Sequence, residues 1–330
     1  MSKTDAKVFK NLDEQVLLLR DKGLVINNEK YAKEVLLREN YFFLHGYRYP
    51  FLRSLDNKKY IPGTTFEELY SLFLFDRTIR NIIFKNMLII ENNLKSILSY
   101  QLSKNYGYKE KDYLNPYNFN YTQEKKKQVN DLISKMKRQI NTNAKQHSAT
   151  KHYLQNYGYI PLWVLIKVLS FGIVSELFSI LKKEEQYDIV EFYNLDINTF
   201  SNYLVILSNY RNLCAHEDII YDNRTNKSID DTKYHRLLRI PILNNEFIYG
   251  KNDLFAVVII IKSMLKDDEF RDFVCEFENA INNLEYNLKV IPINKVLDRM
   301  GFPDNWTDIK EIKKGENFDW INWLILLIFL

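Results

Sequence analysis

Apolar residues recur along this chain at three- and four-residue steps, the period of a helix laid against a core, and no stretch alternates convincingly as a strand would. The first helical patterns cover 12–21 and 29–39, separated by a turn at Lys22-Gly23. NYFFLHGYRYPFL then crowds aromatics around Gly46 and Pro50, which suits a compact turn wedged on a core. Thr64-Thr65 followed by Glu67 and Glu68 is a helix start, and the helix it opens runs over 66–105. Further helices are predicted over 123–140, 161–181, 197–215, 254–277 and 294–300. Pro161 suits the first turn of its helix, and Gly172, in the middle, suits a close helix crossing. Loops are expected over 106–121 and over the polar stretch 218–231, which carries Arg224. The fold class is all-α, with three segments: an N-terminal helical and aromatic part (1–60), a helical core (61–235) and a C-terminal helical extension (236–330).

Composition supports a globular chain. Hydrophobic residues are 46% and charged residues 27%, while nine Gly and seven Pro are too few for the frequent turns of an all-β protein. The 23 Tyr and 21 Phe are read mainly as the coding bias of an AT-rich genome, although tyrosines also stack on bases. Cys214 and Cys275 exclude a disulfide framework and fit a reducing cytoplasm. MSKTDAKVFKNLDEQ lacks the apolar core of a signal peptide. The apolar end, 320–330, is about half the length of a membrane span and is read as a packed tail. No membrane partner is expected.

A net charge of +4 does not by itself imply nucleic acid, but its distribution is uneven. Lys125, Lys126, Lys127, Lys135, Lys137 and Arg138 lie on or beside one predicted helix, followed by Lys145 and Lys151, against only Glu124 and Asp131. This is the candidate RNA-binding face; a solvated basic face is the commoner meaning of such a run. The helix over 66–105 is greasy except for Asp76, Arg77, Arg80 and Glu91, the last three lying within about 60° of one another on a helical wheel.

The chain has no phosphate-binding lysine loop, glycine-rich dinucleotide turn, cysteine quartet or histidine pair at metal spacing, so neither a metal nor a cofactor is expected. Cys214 sits two residues from His216, a spacing that points the side chains apart on a helix; it is read as a core cysteine. What remains is RNLCAH, Arg211 to His216. A histidine can take a proton from a ribose 2′-hydroxyl or give one to a leaving 5′-oxygen, and an arginine can neutralise the phosphorane between them. The need for a 2′-hydroxyl makes the substrate RNA. Five residues turn about 140° on a helix, so Arg211 and His216 do not share a face unaided. Three arrangements resolve this: Asn212, four residues before His216, orients the imidazole while Arg211 wraps around; the helix ends inside the motif; or two chains pool their motifs. The bland alternative is that both residues hydrogen-bond carbonyls at a helix end.

Several blocks, in order, resemble the AbiD/AbiF-like abortive-infection family of bacterial phage-defence proteins. They are LLLRDKGLVI, ENYFFLHGYRYPF, LYSLFLFDRTIRNIIFKNMLIIENNLK, YGYIPLWVLIKVLSFGIVSELFSIL, YRNLCAHEDIIYDNR and MGFPDNW, and they reach from Leu17 to Trp306. That family is similar to the HEPN superfamily of RNA-cleaving toxins. The resemblance implies a HEPN-like helical bundle with added terminal helices and a metal-independent endoribonuclease site at Arg211, Asn212 and His216. It also implies supporting roles for Asp76, Arg77, Arg80 and Glu91, and a homodimer. A structured noncoding RNA, as inhibitor or guide, joins the implied partners, because some members are encoded beside one. Glu217 and YDNR depart from the basic residue and WNR-like end common in the family, and an acid beside His216 would raise its pKa or repel phosphate. The competing readings are an RNA-binding or sensing protein with little catalysis, and a purely protein-interacting defence component.

Overall fold

The computed structural model describes residues 8–54, 56 and 58–314, and among these it is all-α apart from one tiny hairpin. Two short helices, α1 (Leu12–Asp21) and α2 (Glu29–Glu39), follow the predicted bounds and start on Asn11 and Asn28 caps. The aromatic block folds as α3 (Tyr41–Gly46) and a 3₁₀ turn, Tyr49–Phe51. Then comes α4 (Phe66–Tyr106), a 41-residue spine. Thr65 caps it with Glu68 in a reciprocal box. The second Glu68 oxygen accepts the amides of Lys289 and Val290 at 2.7 and 2.8 Å, tying the C-terminal region to the start of the spine.

After α5 (Glu110–Tyr113) the basic helix α6 (Lys126–Gln146) begins and ends later than predicted, and α7 (Ser148–Tyr157) follows it. The predicted helix over 161–181 is broken. Its residues form α8 (Leu162–Leu165), a 3₁₀ turn at Ile166–Val168, an extended Leu169, and α9 (Phe171–Ile180). The Ser170 hydroxyl accepts the Ile173 amide and so starts a new helix inside a largely apolar run. Pro161 precedes α8 as its cap, and Gly172 stands in the first turn of α9, where a Cβ would meet Ser208 at an ordinary 3.7 Å. No tight crossing requires that glycine.

The chain continues through α10 (Lys183–Val190), α11 (Ile197–Ala215) and α12 (Lys233–Leu237). A hairpin that the sequence pattern missed pairs β1 (Ile242–Leu243) with β2 (Glu246–Phe247); Asn244 and Asn245, both at positive φ, make its turn. The predicted helix over 254–277 divides at Leu265 into α13 (Leu254–Met264) and α14 (Asp267–Asn287), and α15 (Asn294–Met300) follows. Every residue of α13 is buried. The spine explains the architecture: α14, α11, α10 and α8 all pack on α4, so its apolar residues are covered on several sides rather than along one stripe.

No described helix is long and apolar enough to cross a membrane. The apolar segment 320–330 lies outside the described residues.

Candidate functional site

Helix α11 turns Phe200, Tyr203, Leu207, Tyr210 and Cys214 into the core at steps of three and four. Arg211 and Asn212 lie off that face, Arg211 half-buried and Asn212 exposed. The helix stops at Ala215, and His216 is its exposed cap residue. The chain then reverses: the Asp218 amide donates to Leu213 O and the Glu217 amide to Cys214 O, with Glu217 left-handed at φ 58°. Of the three arrangements open to the motif, the helix does end within it. The side chains of Asn212 and His216 make no hydrogen bond among the described residues; their link is the His216 amide donating to Asn212 O at 3.0 Å.

A clamp from α4 holds this reversal. Asp76 is fully buried and accepts from the Tyr47 hydroxyl at 2.7 Å, the Tyr221 amide at 2.7 Å and the Ile220 amide at 3.2 Å. Arg80, also buried, lies 3.6 Å from Asp76 and donates to Asp218 O at 2.9 Å. Burial pushes the Asp76 carboxyl up to about 6, against the pull of Arg80, Tyr47 and the two amides. Cys214 sits close by; burial pushes its thiol up to about 12, so it is a core residue and no thiolate nucleophile at neutral pH.

Arg77 takes the other side. It grips Glu39, at the end of α2, through two bonds of 2.7 and 3.3 Å and lies 4.7 Å over the Phe73 ring. Hydrogen bonding to Arg77 holds the Glu39 carboxyl below its usual range. Exposed Glu217 approaches Arg77 at 3.9 Å, so the acid next to His216 has a cationic neighbour of its own.

Arg211 faces a different part of the spine. Its Nε is 3.9 Å from Glu91 Oε2, an ionic contact too long for a hydrogen bond, and both atoms are buried without a hydrogen-bond partner. The other Glu91 oxygen accepts from Lys95 Nζ at 2.6 Å. Thus the structure brings Arg77, Arg80, Asp76 and Glu91 all to the end of α11, in two groups: three around the reversal and one under Arg211. Tyr47, Glu39 and Lys95 complete these groups and escaped sequence reasoning. Lys95 is four residues after Glu91, a helical ion-pair spacing that was there to be read; Tyr47 and Glu39 come from segments with no periodic link to α4.

The basic helix is separate. Lys125 donates to Ser179 O and Lys135 pairs with Glu176 at 2.7 Å, whereas Lys126, Lys127, Lys137 and Arg138 are exposed. Contacts of Lys125 with Ser179 and Lys135 with Glu176 run α6 antiparallel to α9. Phe178 against Phe200 and Gly172 against Ser208 run α11 antiparallel to α9 as well. The later half of α6 therefore lies toward the same end of the bundle as the motif, with α9 between them.

His235 is structural: it is buried, bonded to Thr232 and to Gly250 O, and desolvation lowers its pKa. Among the described residues no group of His, Cys, Asp and Glu has the arrangement of a metal site. A groove of about 1290 Å³ opens beside the reversal, lined in part by Lys22, Tyr41, Arg48, Asp218 and Ile219. Lys22 is held below its usual pKa by partial burial and by the repulsion of Arg48 and Lys58.

No curated relative and no solved structure matches the chain. The family model of Abi-like proteins matches residues 34–222, which takes in the Glu39 end of α2, the whole spine, the basic helix and the reversal after His216. The chain belongs to the Abi-like protein family.

Proposed function

We propose that this protein acts in phage defence by abortive infection, and that it does so as a HEPN-type endoribonuclease working through Arg211 and His216. Family membership supports the defence role. One observation supports the chemistry above all. The carbonyl-bonding work at the end of α11 is done by Arg80 and by backbone amides, while Arg211 and His216 bond no carbonyl through their side chains and retain access to solvent. A buried helix end that uses Arg and His merely as caps would have the opposite arrangement.

In this reading a ribose 2′-hydroxyl attacks the adjacent phosphorus, passing its proton to a neutral imidazole. The 5′-oxygen leaves with a proton from an imidazolium, and a 2′,3′-cyclic phosphate forms. The Arg211 guanidinium faces the extra negative charge of the phosphorane. Glu91 and Lys95 set the position of Arg211, and the Asp76–Arg80 clamp sets that of His216. Each chain brings one histidine in the motif, so a homodimer that pools two motifs supplies both base and acid. Asn212, exposed beside the motif, serves as a contact for the RNA or for the second motif.

The test uses the purified full-length protein and single-stranded RNA in excess chelator. Cleavage giving cyclic phosphate and 5′-hydroxyl ends is expected, and a 2′-deoxy substitution at the cut site blocks it. Loss of cleavage in chelator, or 5′-phosphate products, would refute the mechanism. The exposed row Lys126, Lys127, Lys137 and Arg138 favours a second reading, a protein that holds a structured noncoding RNA with little catalysis. Retention of RNA through ion exchange, without cleavage of added RNA, would be its mark.

A further inference from the structure

Five aromatic side chains from three separate stretches of sequence form a ladder on the surface. Tyr153 and Tyr157 of α7 lie with ring centroids 5.3 Å apart; Tyr157 is 6.2 Å from Tyr159, Tyr159 is 5.6 Å from Tyr108, and Tyr108 is 5.9 Å from Trp163 of α8. Three of the rings keep much of their area in water: Tyr157 is 57% exposed, Trp163 44% and Tyr108 42%. The ladder has a rigid support. Ile160, between Tyr159 and Trp163, donates its amide to Glu110 and accepts the Tyr113 hydroxyl at 2.8 Å, so α5 pins the chain reversal that carries the rings.

Cations flank the rings. Lys109 Nζ lies 5.0 Å from the Tyr159 ring centre and 5.9 Å from that of Tyr108. Lys167 follows Trp163 by four residues, and both are exposed while Leu162, Val164, Leu165 and Ile166 between them are buried. Lys167 donates to Asn92 at 2.5 Å, and Asn92 is the neighbour of Glu91, which faces Arg211. Lys167 thus anchors the ring-bearing stretch to the spine one residue along from the acid that faces Arg211.

We infer that this ladder is a binding platform for single-stranded RNA, which carries unpaired bases on Tyr157, Tyr108 and Trp163 and delivers the strand past Lys167 to Arg211. The inference rests on the ribonuclease reading for its destination, but the platform itself does not need catalysis. Aromatic faces accept any base, and flanking ammonium groups match a phosphate backbone, so the surface fits a strand recognised for being unpaired rather than for its sequence. An apolar protein partner would be poorly matched to a surface with lysines set among its rings.

The experiment measures binding of a fluorescent, uncleavable 2′-O-methyl single-stranded oligonucleotide to the full chain by anisotropy, beside a duplex of the same sequence. Tyr157→Leu and Trp163→Leu keep apolar packing and remove the stacking faces. Each weakens single-strand binding on the order of tenfold, with unchanged thermal melting and an unchanged salt slope. Lys167→Gln weakens binding with a shallower salt slope. Wild-type affinity in both leucine variants, no single-strand binding by the wild type, or a change confined to self-association in sedimentation would each overturn the platform. Cleavage is scored separately: a wild type that binds through the ladder but never cleaves refutes the catalytic reading alone. A wild type that cleaves while the leucine variants bind unchanged refutes the ladder alone.

Discussion

Two sets of charged side chains meet at the end of α11, and they are built in opposite ways. Asp76 and Arg80 are buried; the Asp76 carboxylate accepts from three hydrogen-bond donors with Arg80 as an ionic neighbour at 3.6 Å, and Arg80 spends itself on the carbonyl of Asp218. His216 is exposed and Arg211 half-buried with its Nε covered, and the nearest acid to Arg211 stays beyond hydrogen-bond distance. A buried charge is tolerable only when its partners are fixed, so the first set shapes the loop and has nothing left over for a ligand. The second set keeps its capacity. Proximity to a motif therefore does not make a charged residue part of the chemistry; the state of its hydrogen bonds separates the two.

Substitutions sharpen this contrast. Arg211→Ala is expected to reduce RNA cleavage by on the order of 10²–10³-fold in single-turnover assays, with urea unfolding close to wild type. Asp76→Ala is expected to act in reverse, removing about 3–5 kcal/mol of stability because Arg80, the Tyr47 hydroxyl and two amides lose their partner. An Asp76→Ala protein that unfolds like wild type would break the division between the two sets.

The acid side gives a third check. Asp76 and Asp253 are each pushed up to about 6 by burial, from an ordinary 3.8. Between about pH 4 and 6 the folded chain holds protons on these groups that the unfolded chain has released, so their contribution to stability falls as pH rises through that window and is flat above it. Asp253 caps α13 and accepts the Gly250 and Ala256 amides, and Asn can serve as the same cap. The melting temperature of wild type relative to Asp253→Asn should therefore decline between pH 4 and 6. A constant difference would contradict the assignment. The smallest effect belongs to Glu217, a non-glycine residue at φ 58°. Glu217→Gly should stabilise the protein by about 0.5–1 kcal/mol, read by chemical unfolding.

The sequence made the spine legible because Thr65 and Glu68 mark its start and its apolar residues keep a helical step for ten turns. The break at Leu169–Ser170 was marked only by Ser170, a residue suited to a helix cap, inside a largely apolar run. The division of the predicted helix at Leu265 did leave a trace in the acidic first turn Asp267, Asp268 and Glu269 of α14. The hairpin's two-residue arms are too short to alternate. At the site, Arg211, Asn212 and His216 were legible as a motif and Glu91 as a polar exception on a greasy helix. Which charges were spent was not, because that depends on Tyr47, Glu39 and the amides of Ile220 and Tyr221, which come together only in three dimensions. The aromatic ladder is a stronger case: a tyrosine excess looks compositional until residues from around 108, 153–159 and 163 converge on one surface.

The central claim is that the open residues at the end of α11 do chemistry while the buried ones beneath them do not. His216→Ala tests it most directly, with cleavage rate and melting temperature measured on the same preparation. A loss of cleavage on the order of 10²-fold or more, with melting unchanged, is predicted. Undiminished cleavage, or a collapse of stability alongside the activity, would contradict it.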